Sequence, residues 1–265
     1  MKISRLILLF IFLFTTGCSK KYKTFEEIIK SNEIVVTTNA EFAPFEYKEG
    51  SEIKGIDIDI IKEYGKFIDV DVKIVDTDFD SALISVALNK SDLAIAGITK
   101  NKKREEAFSF SNSYYNASQV IIVKNDSEYI NLKSQEEVLN KLSLNNARIG
   151  CQRGTVGQYF IEGSVDWEFE GIKNTKCIIF DNGALAASSL SNNQIDALII
   201  DEMPASLYCK KFSNIKTLDF ILTEEEYAIA VTKGNIDLVN SLNEFIKNMK
   251  GNGTIDSIIG KYYGE

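Results

Sequence analysis

The chain of 265 residues contains no histidine, two prolines, one tryptophan and four cysteines. Without histidine there is no Ser–His or Cys–His nucleophile pair and no His-ligated metal site, and the commonest general base is missing. Cys18, Cys151, Cys177 and Cys209 show no CxxC spacing, so neither a metal site nor a disulfide framework is implied, and no cofactor is expected. A basic excess is missing as well. The 30 Lys and Arg stand against 38 Asp and Glu, a net charge of −8, which speaks against a nucleic-acid partner. The apolar run Leu6–Phe14 is too short to span a bilayer.

What is present describes an ordinary globular protein. At 45% hydrophobic and 26% charged residues, a chain of this length can bury one large or two modest cores. Its start has the pattern of a targeting segment: Lys2 and Arg5 precede Leu6–Phe14, then Thr15-Thr16-Gly17 precede Cys18. That stretch resembles a bacterial lipobox, with Thr15 where Leu is usual. The resemblance implies a signal peptide over 1–17 and lipidation of Cys18. A tether over 18–24 would then anchor an exported lipoprotein at a membrane, facing the periplasm or the cell exterior. An ordinary secretory signal, with Cys18 incidental, is the alternative.

Strands and helices alternate along the rest. Glu33–Thr38 reads as a strand, followed by a loop at Asn39–Tyr47 that Pro44 keeps irregular. Gly55–Asp59 opens a helix with Ile58, Ile61, Tyr64 and Ile68 on one face. Val70–Val75 is a strand, Asp80 caps a helix over Ser81–Asn89, and Leu93–Ala96 is the next strand. Gln119–Val123 is a buried strand, Lys133–Leu142 a helix and Ala147–Cys151 a strand. The turn Gln152–Val156 then starts a helix whose free N–H groups face an anion. A strand at Cys177–Phe180, a helix from Asp181 to Leu190 and a strand at Ile195–Ile200 ending on Asp201 repeat the order of parts between Asp80 and Gly97. Tyr227–Val231 is one more strand. A helix carrying Leu238, Leu242, Phe245 and Met249 and a last one at Thr254–Tyr263 close the chain.

This order predicts an α/β fold of two similar lobes, 25–115 plus 226–265 and 116–225. Two parallel crossings near Tyr114–Ser118 and Thr223–Tyr227 would form a hinge. Ligands of open α/β sheets sit at the carboxyl ends of strands, so the lobes face each other across a ligand cleft. The chemistry gathers in Leu93–Tyr115, where Ala96, Gly97, Thr99 and Arg104 offer close backbone, a hydroxyl and a guanidinium suited to a carboxylate. A surface loop with a solvated arginine is the other reading of that segment.

Several segments together resemble the bacterial extracellular solute-binding proteins, family 3. They are Ala43–Glu46, Gly55–Asp59, Gly97–Thr99 with Arg104 and Phe110-Ser111, Gly154-Thr155, Ile195–Ala197 with Asp201, and Asn252–Thr254 with Lys261–Tyr263. The resemblance implies a two-lobed periplasmic-binding-protein fold and a free amino-acid ligand. It also implies a monomer that delivers the ligand to an ABC permease in the cytoplasmic membrane. Arg104, Thr99 and the N–H groups of Thr99 and Thr155 would hold the α-carboxylate. Asp201 and the Gly97 carbonyl would hold the α-ammonium, with Val156 beside them. Asn39, Phe42, Ile56 and Gln152 would face the side chain, and neutral Asn39, aliphatic Ile56 and Gln152 point to a polar, uncharged one. Two other roles fit the same chain: an enzyme similar to the cyclohexadienyl dehydratases, and a surface adhesion lipoprotein.

Overall fold

The computed structural model describes residues 22–263. The expected signal peptide, Cys18 and the first part of the tether lie outside the described residues. The last part of that tether is not a free linker. The Tyr22 hydroxyl donates to the Gly234 carbonyl at 2.9 Å, and Lys23 Nζ to the Glu33 carbonyl at 2.8 Å. Thr24 opens α1 (Phe25–Ser31) with a capping box, exchanging hydrogen bonds with Glu27.

β1 (Glu33–Thr38) forms where expected. The loop read at Asn39–Tyr47 is instead part of a meander of β2 (Glu41–Phe42), β3 (Glu46–Glu49) and β4 (Glu52–Lys54). α2 (Ile56–Ile68) follows Gly55, where a Cβ would lie 2.1 Å from the Phe45 carbonyl oxygen, so only glycine allows the chain to pass. β5 (Asp71–Asp76) leads to α3 (Phe79–Ala87), which starts earlier than predicted. Its cap is Asp78 rather than Asp80, accepting from the Ser81 N–H at 2.9 Å. β6 (Leu93–Ala94) is shorter than the predicted strand, since the chain turns towards Gly97. The charged segment beyond it folds into α4 (Lys102–Ala107), capped by Asn101 Oδ1 on the Arg104 N–H at 2.8 Å, and β7 (Phe108–Phe110) follows.

β8 (Tyr115–Ala117) leads out of this half and β9 (Gln119–Lys124) into the next. There α5 (Gln135–Leu144), β10 (Arg148–Gln152), α6 (Val156–Glu162), β11 (Lys176–Phe180), α7 (Gly183–Ser191), β12 (Ala197–Asp201), α8 (Glu202–Lys211) and β13 (Ile215–Thr217) follow. The helix α7 is capped by Asn182, not Asp181. The chain returns through β14 (Glu225–Tyr227), β15 (Ala230–Thr232), α9 (Ile236–Gly251) and α10 (Thr254–Tyr262). The one strand predicted at Tyr227–Val231 is therefore two, because the segment passes from the crossing into the first sheet.

The two halves repeat one topology. The first sheet runs β5-β1-β6-β15-β7 and the second β11-β10-β12-β9-β13. In each, the first three strands are parallel and the last two pairings antiparallel. β8 and β14 pair with each other, with Tyr115 opposite Tyr227. The two crossings run antiparallel, not parallel, because one leaves the first half as the other re-enters it. Under the first sheet, Ile61, Tyr64, Leu242 and Phe245 are buried. Side chains of this size stabilise by about 1.5–3 kcal/mol each when fully buried. The second core is built on Ile121, Ile149 and Ile199. These sheets fix the strand ends that carry the site.

Candidate functional site

The carboxyl ends of β1, β6, β10 and β12 converge on one cavity between the halves. Asn39, Phe42, Ala96, Gly97, Thr99 and Arg104 line it from the first half, and Gln152, Thr155, Val156 and Asp201 from the second. Two further residues, Glu46 and Phe79, join them. Ile56 does not. It is fully buried in the first turn of α2, packed in the apolar core that includes Phe45, because Gly55 turns the helix start away from the cavity.

Arg104 is buried at the centre. Its Nη1 donates to the Thr99 carbonyl at 2.8 Å, and its Nη2 to the Gly154 carbonyl of the other half at 3.2 Å. The guanidinium carbon lies 5.3 Å from the Phe79 ring centre and 5.0 Å from that of Trp167, two cation–π contacts. Burial pulls its pKa below the ordinary guanidinium value, and Glu225, Asp80 and Asp201 oppose that only through space. Carbonyls and rings do not neutralise a cation. An anion placed here would complete two parallel hydrogen bonds in a water-poor setting.

The Thr99 hydroxyl donates to Glu225 Oε2 on β14 at 2.6 Å, and Thr223 donates to Glu225 Oε1 at 2.7 Å. This ties the cavity to the crossing strands. Across from them, the Thr155 hydroxyl donates to the Gln152 carbonyl at 2.8 Å, and Gly154 N–H donates to Gln158 Oε1 at 2.8 Å. The Thr155 N–H lies a long 3.5 Å from the Gln152 carbonyl, a weak bond by ordinary geometry.

Asp201 occupies the cap position of α8, yet its side chain makes no capping bond. It turns into the cavity and accepts from the Tyr227 hydroxyl. Burial, then the charge of Glu225, pushes its pKa up to about 7. Gly97, at φ 54°, donates its N–H to Asp57 Oδ2 at 2.8 Å. On the remaining wall, Gln152 Nε2 donates to Asn39 Oδ1 at 3.2 Å, and Asn39 Nδ2 to the Thr77 carbonyl at 3.0 Å. Gln152 Oε1 is buried with no donor.

Three contributors were not foreseen. Phe79 sits where α3 begins two residues early, and Glu46 faces inward from a strand read as loop. Trp167 lies on a 3₁₀ turn, Val165–Trp167, in a polar segment with no periodicity to flag it. Beside it, Lys102–Glu168 and Lys103–Asp166 pair across the halves at 3.0 and 3.4 Å. Among the described residues no group of acids and cysteines is arranged to hold a metal ion.

The chain is 27% identical over 235 residues to the arginine-binding extracellular protein ArtP of Bacillus subtilis, covering 87% of this chain and 86% of that one. It is 28% identical over 240 residues to the histidine-binding periplasmic protein of Salmonella typhimurium, covering 87% of each. Among solved structures, it superposes on the ancestral amino acid-binding protein AncCDT-1, a precursor of cyclohexadienyl dehydratase. That match has a TM-score of 0.80 at 29% identity and covers 90% of this chain and 98% of that one. The model of the bacterial extracellular solute-binding proteins, family 3, matches residues 34–265, and the chain belongs to that family.

Proposed function

We propose that the cavity takes one free L-amino acid, bound as the lobes 25–115 plus 226–265 and 116–225 close about the β8–β14 crossing. Arg104, Thr99 and the N–H groups of Thr99 and Thr155 hold the α-carboxylate, and Asp201 with the Gly97 carbonyl holds the α-ammonium. The observation that carries this reading is that a buried cation from one half and a buried carboxylate from the other face a single cavity. A zwitterion matches both, and only closure completes both contacts. The loaded protein delivers its ligand to an ABC permease in the cytoplasmic membrane. It acts as a monomer, exported and tethered through lipid on Cys18. Detergent-phase partitioning of the expressed full-length chain tests the tether, since Cys18→Ala moves the protein to the aqueous phase.

The side chain is polar and uncharged in this reading. Asn39 offers no charge, and Gln152 Oε1 is an acceptor without a donor, suited to an amide or hydroxyl ligand. The names of ArtP and the Salmonella relative speak for a basic side chain instead. A thermal-shift screen of the free amino acids separates the two, because a tight ligand raises the melting temperature by mass action. Stabilisation by glutamine, asparagine, serine or threonine supports the neutral reading. Stabilisation by arginine, lysine or histidine alone rejects it.

The described precursor relationship of AncCDT-1 to a dehydratase favours one other reading, an enzyme on the same fold. With no histidine the general acid would be Glu46, Asp201 or another carboxyl of the cavity. Turnover of prephenate or arogenate by the purified protein would establish that reading over the receptor.

A further inference from the structure

Glu46 is a charged residue type on the inner face of β3, wholly buried, and it lines the cavity. Neither of its carboxyl oxygens meets a donor, and Asp57 Oδ1 has none either. These orphaned oxygens are not scattered. The Asp57 N–H donates to the Phe45 carbonyl at 2.9 Å, which seats Asp57 against the start of β3 beside Glu46, and each carboxyl group shifts the other's pKa, so acceptor faces acceptor. The other oxygen of Asp57, Oδ2, is fully engaged, taking the Gly97 N–H at 2.8 Å and the Tyr114 hydroxyl at 2.9 Å. Two adjacent buried carboxylates without a donor between them carry a large repulsive and desolvation cost. One proton removes the repulsion and leaves a single buried charge, on the carboxylate that already accepts two donors.

We propose that Glu46 and Asp57 share a single proton, carried by Glu46 and donated to Asp57 Oδ1, and that this pair positions the Gly97 peptide of the binding cavity. Asp57 is the ionised partner because it already accepts two donors. Glu46 is the neutral one because it has none.

The surrounding charges agree. Asp57 on α2, Asp201 on β12 and Asp76 on β5 all disfavour a second negative charge at Glu46, and Asp76 is itself paired with Lys48 at 2.5 Å. Tyr114 and Tyr227 face the same region as neutral phenols, held so by burial. Arg104 lines the same cavity. Burial and Asp57 raise Glu46 well above the usual carboxylate range; burial also raises Asp57, to about 6, and its two donors oppose that rise.

The proton-bridged pair has one consequence for recognition. Its single charge is spent behind Gly97, on the N–H of the residue whose carbonyl is assigned to the ligand ammonium. Glu46 is then no counter-ion for a cationic ligand side chain, although it lines the cavity. This positioning role rests on the amino-acid reading of the site. The shared proton does not.

The two parts are tested separately. Infrared spectroscopy of the ligand-free protein at about pH 8, above the values of Asp57 and Asp201, reads the proton directly. The wild type is expected to show the C=O stretch of a protonated carboxyl group, and Glu46→Gln to lack it. Absence of that band in the wild type overturns the shared proton, whatever the protein binds. For the positioning role, calorimetry with the amino acid found by the thermal-shift screen compares two variants. Glu46→Ala leaves Asp57 Oδ1 without a donor and is expected to weaken binding about tenfold. Glu46→Gln, whose amide replaces the donor, is expected to recover most of it. If Glu46→Gln binds as weakly as Glu46→Ala, Glu46 acts as an anion and the proposal fails.

Discussion

Arg104, on α4 in the first half, donates through Nη2 to the carbonyl of Gly154 in the second half at 3.2 Å. One side chain thus faces the cavity and bridges the two halves, and the proposed binding and closure would be linked through it.

Trp167 offers a direct readout of that linkage. It is the single tryptophan of the chain, and its ring lies 5.0 Å from the Arg104 guanidinium and stacks on Tyr159 at 5.0 Å. Ligand titration is expected to change its emission saturably, with a midpoint matching the calorimetric Kd. Trp167→Phe removes the signal. An emission unchanged at saturating ligand would mean that the turn at 165–167 does not respond to binding.

The pH dependence of binding follows from Asp201. Its pKa stands at about 7 in the ligand-free protein, and only its ionised form pairs with an ammonium group. Affinity should therefore fall as pH drops below about 7, by no more than about tenfold per pH unit. Tyr227→Phe deletes a hydrogen bond that favours the carboxylate, so the fall should begin at higher pH. Calorimetry between about pH 5 and 8 checks both the wild type and the variant.

Stability of the ligand-free protein should run the other way. The folded pKa of Asp201 lies above the unfolded carboxylate value near 3.9, so the native state holds the proton more tightly. Its contribution is fully present below about pH 4 and is lost as pH rises towards about 7. Asp201→Asn removes that slope while abolishing binding. Urea denaturation at several pH values measures it, and an unchanged slope in the variant would assign the linkage to another group.

A stability prediction independent of the cavity concerns Arg148 and Asp196. Asp196 accepts from the Arg148 backbone N–H at 2.7 Å and from its guanidinium at 2.7 and 3.1 Å. The pair is partly solvent-screened, so Arg148→Ala should cost only about 0.5–1 kcal/mol. Asp196→Ala also frees the backbone N–H and should cost more, about 1–3 kcal/mol. These contacts hold the Asp196 carboxyl below its usual range. Their contribution is therefore present above the ordinary carboxylate value and lost as pH falls through the depressed one.

Much of this arrangement was legible in the residues. β1 was readable to its ends because Ile34, Val35, Val36, Thr37 and Thr38 are all β-branched. The cavity residues were readable because Gly97 and Thr99 come just after a strand, Asp201 ends one, and Arg104 is a cation five residues beyond Thr99. The meander β2–β4 was not, since strands of two to four residues with polar faces carry too little periodicity. Helix α4 was hidden for a similar reason: KKREEA has no apolar face, and Asn101 and tertiary contacts hold it in place. Ile56 was misplaced because its direction depends on the turn at Gly55, a three-dimensional fact. Glu46 carries no legible role in the residues alone, because its meaning arises only when the fold brings Asp57, eleven residues later, beside it.

The central claim is that Arg104 holds the carboxylate of the ligand, and calorimetry of Arg104→Ala tests it most directly. Truncating one partner of a buried charged contact costs about 2–5 kcal/mol. The variant, shown by circular dichroism to be folded, should therefore give no measurable binding heat with the amino acid that stabilises the wild type. Unchanged affinity in that folded variant would contradict the account.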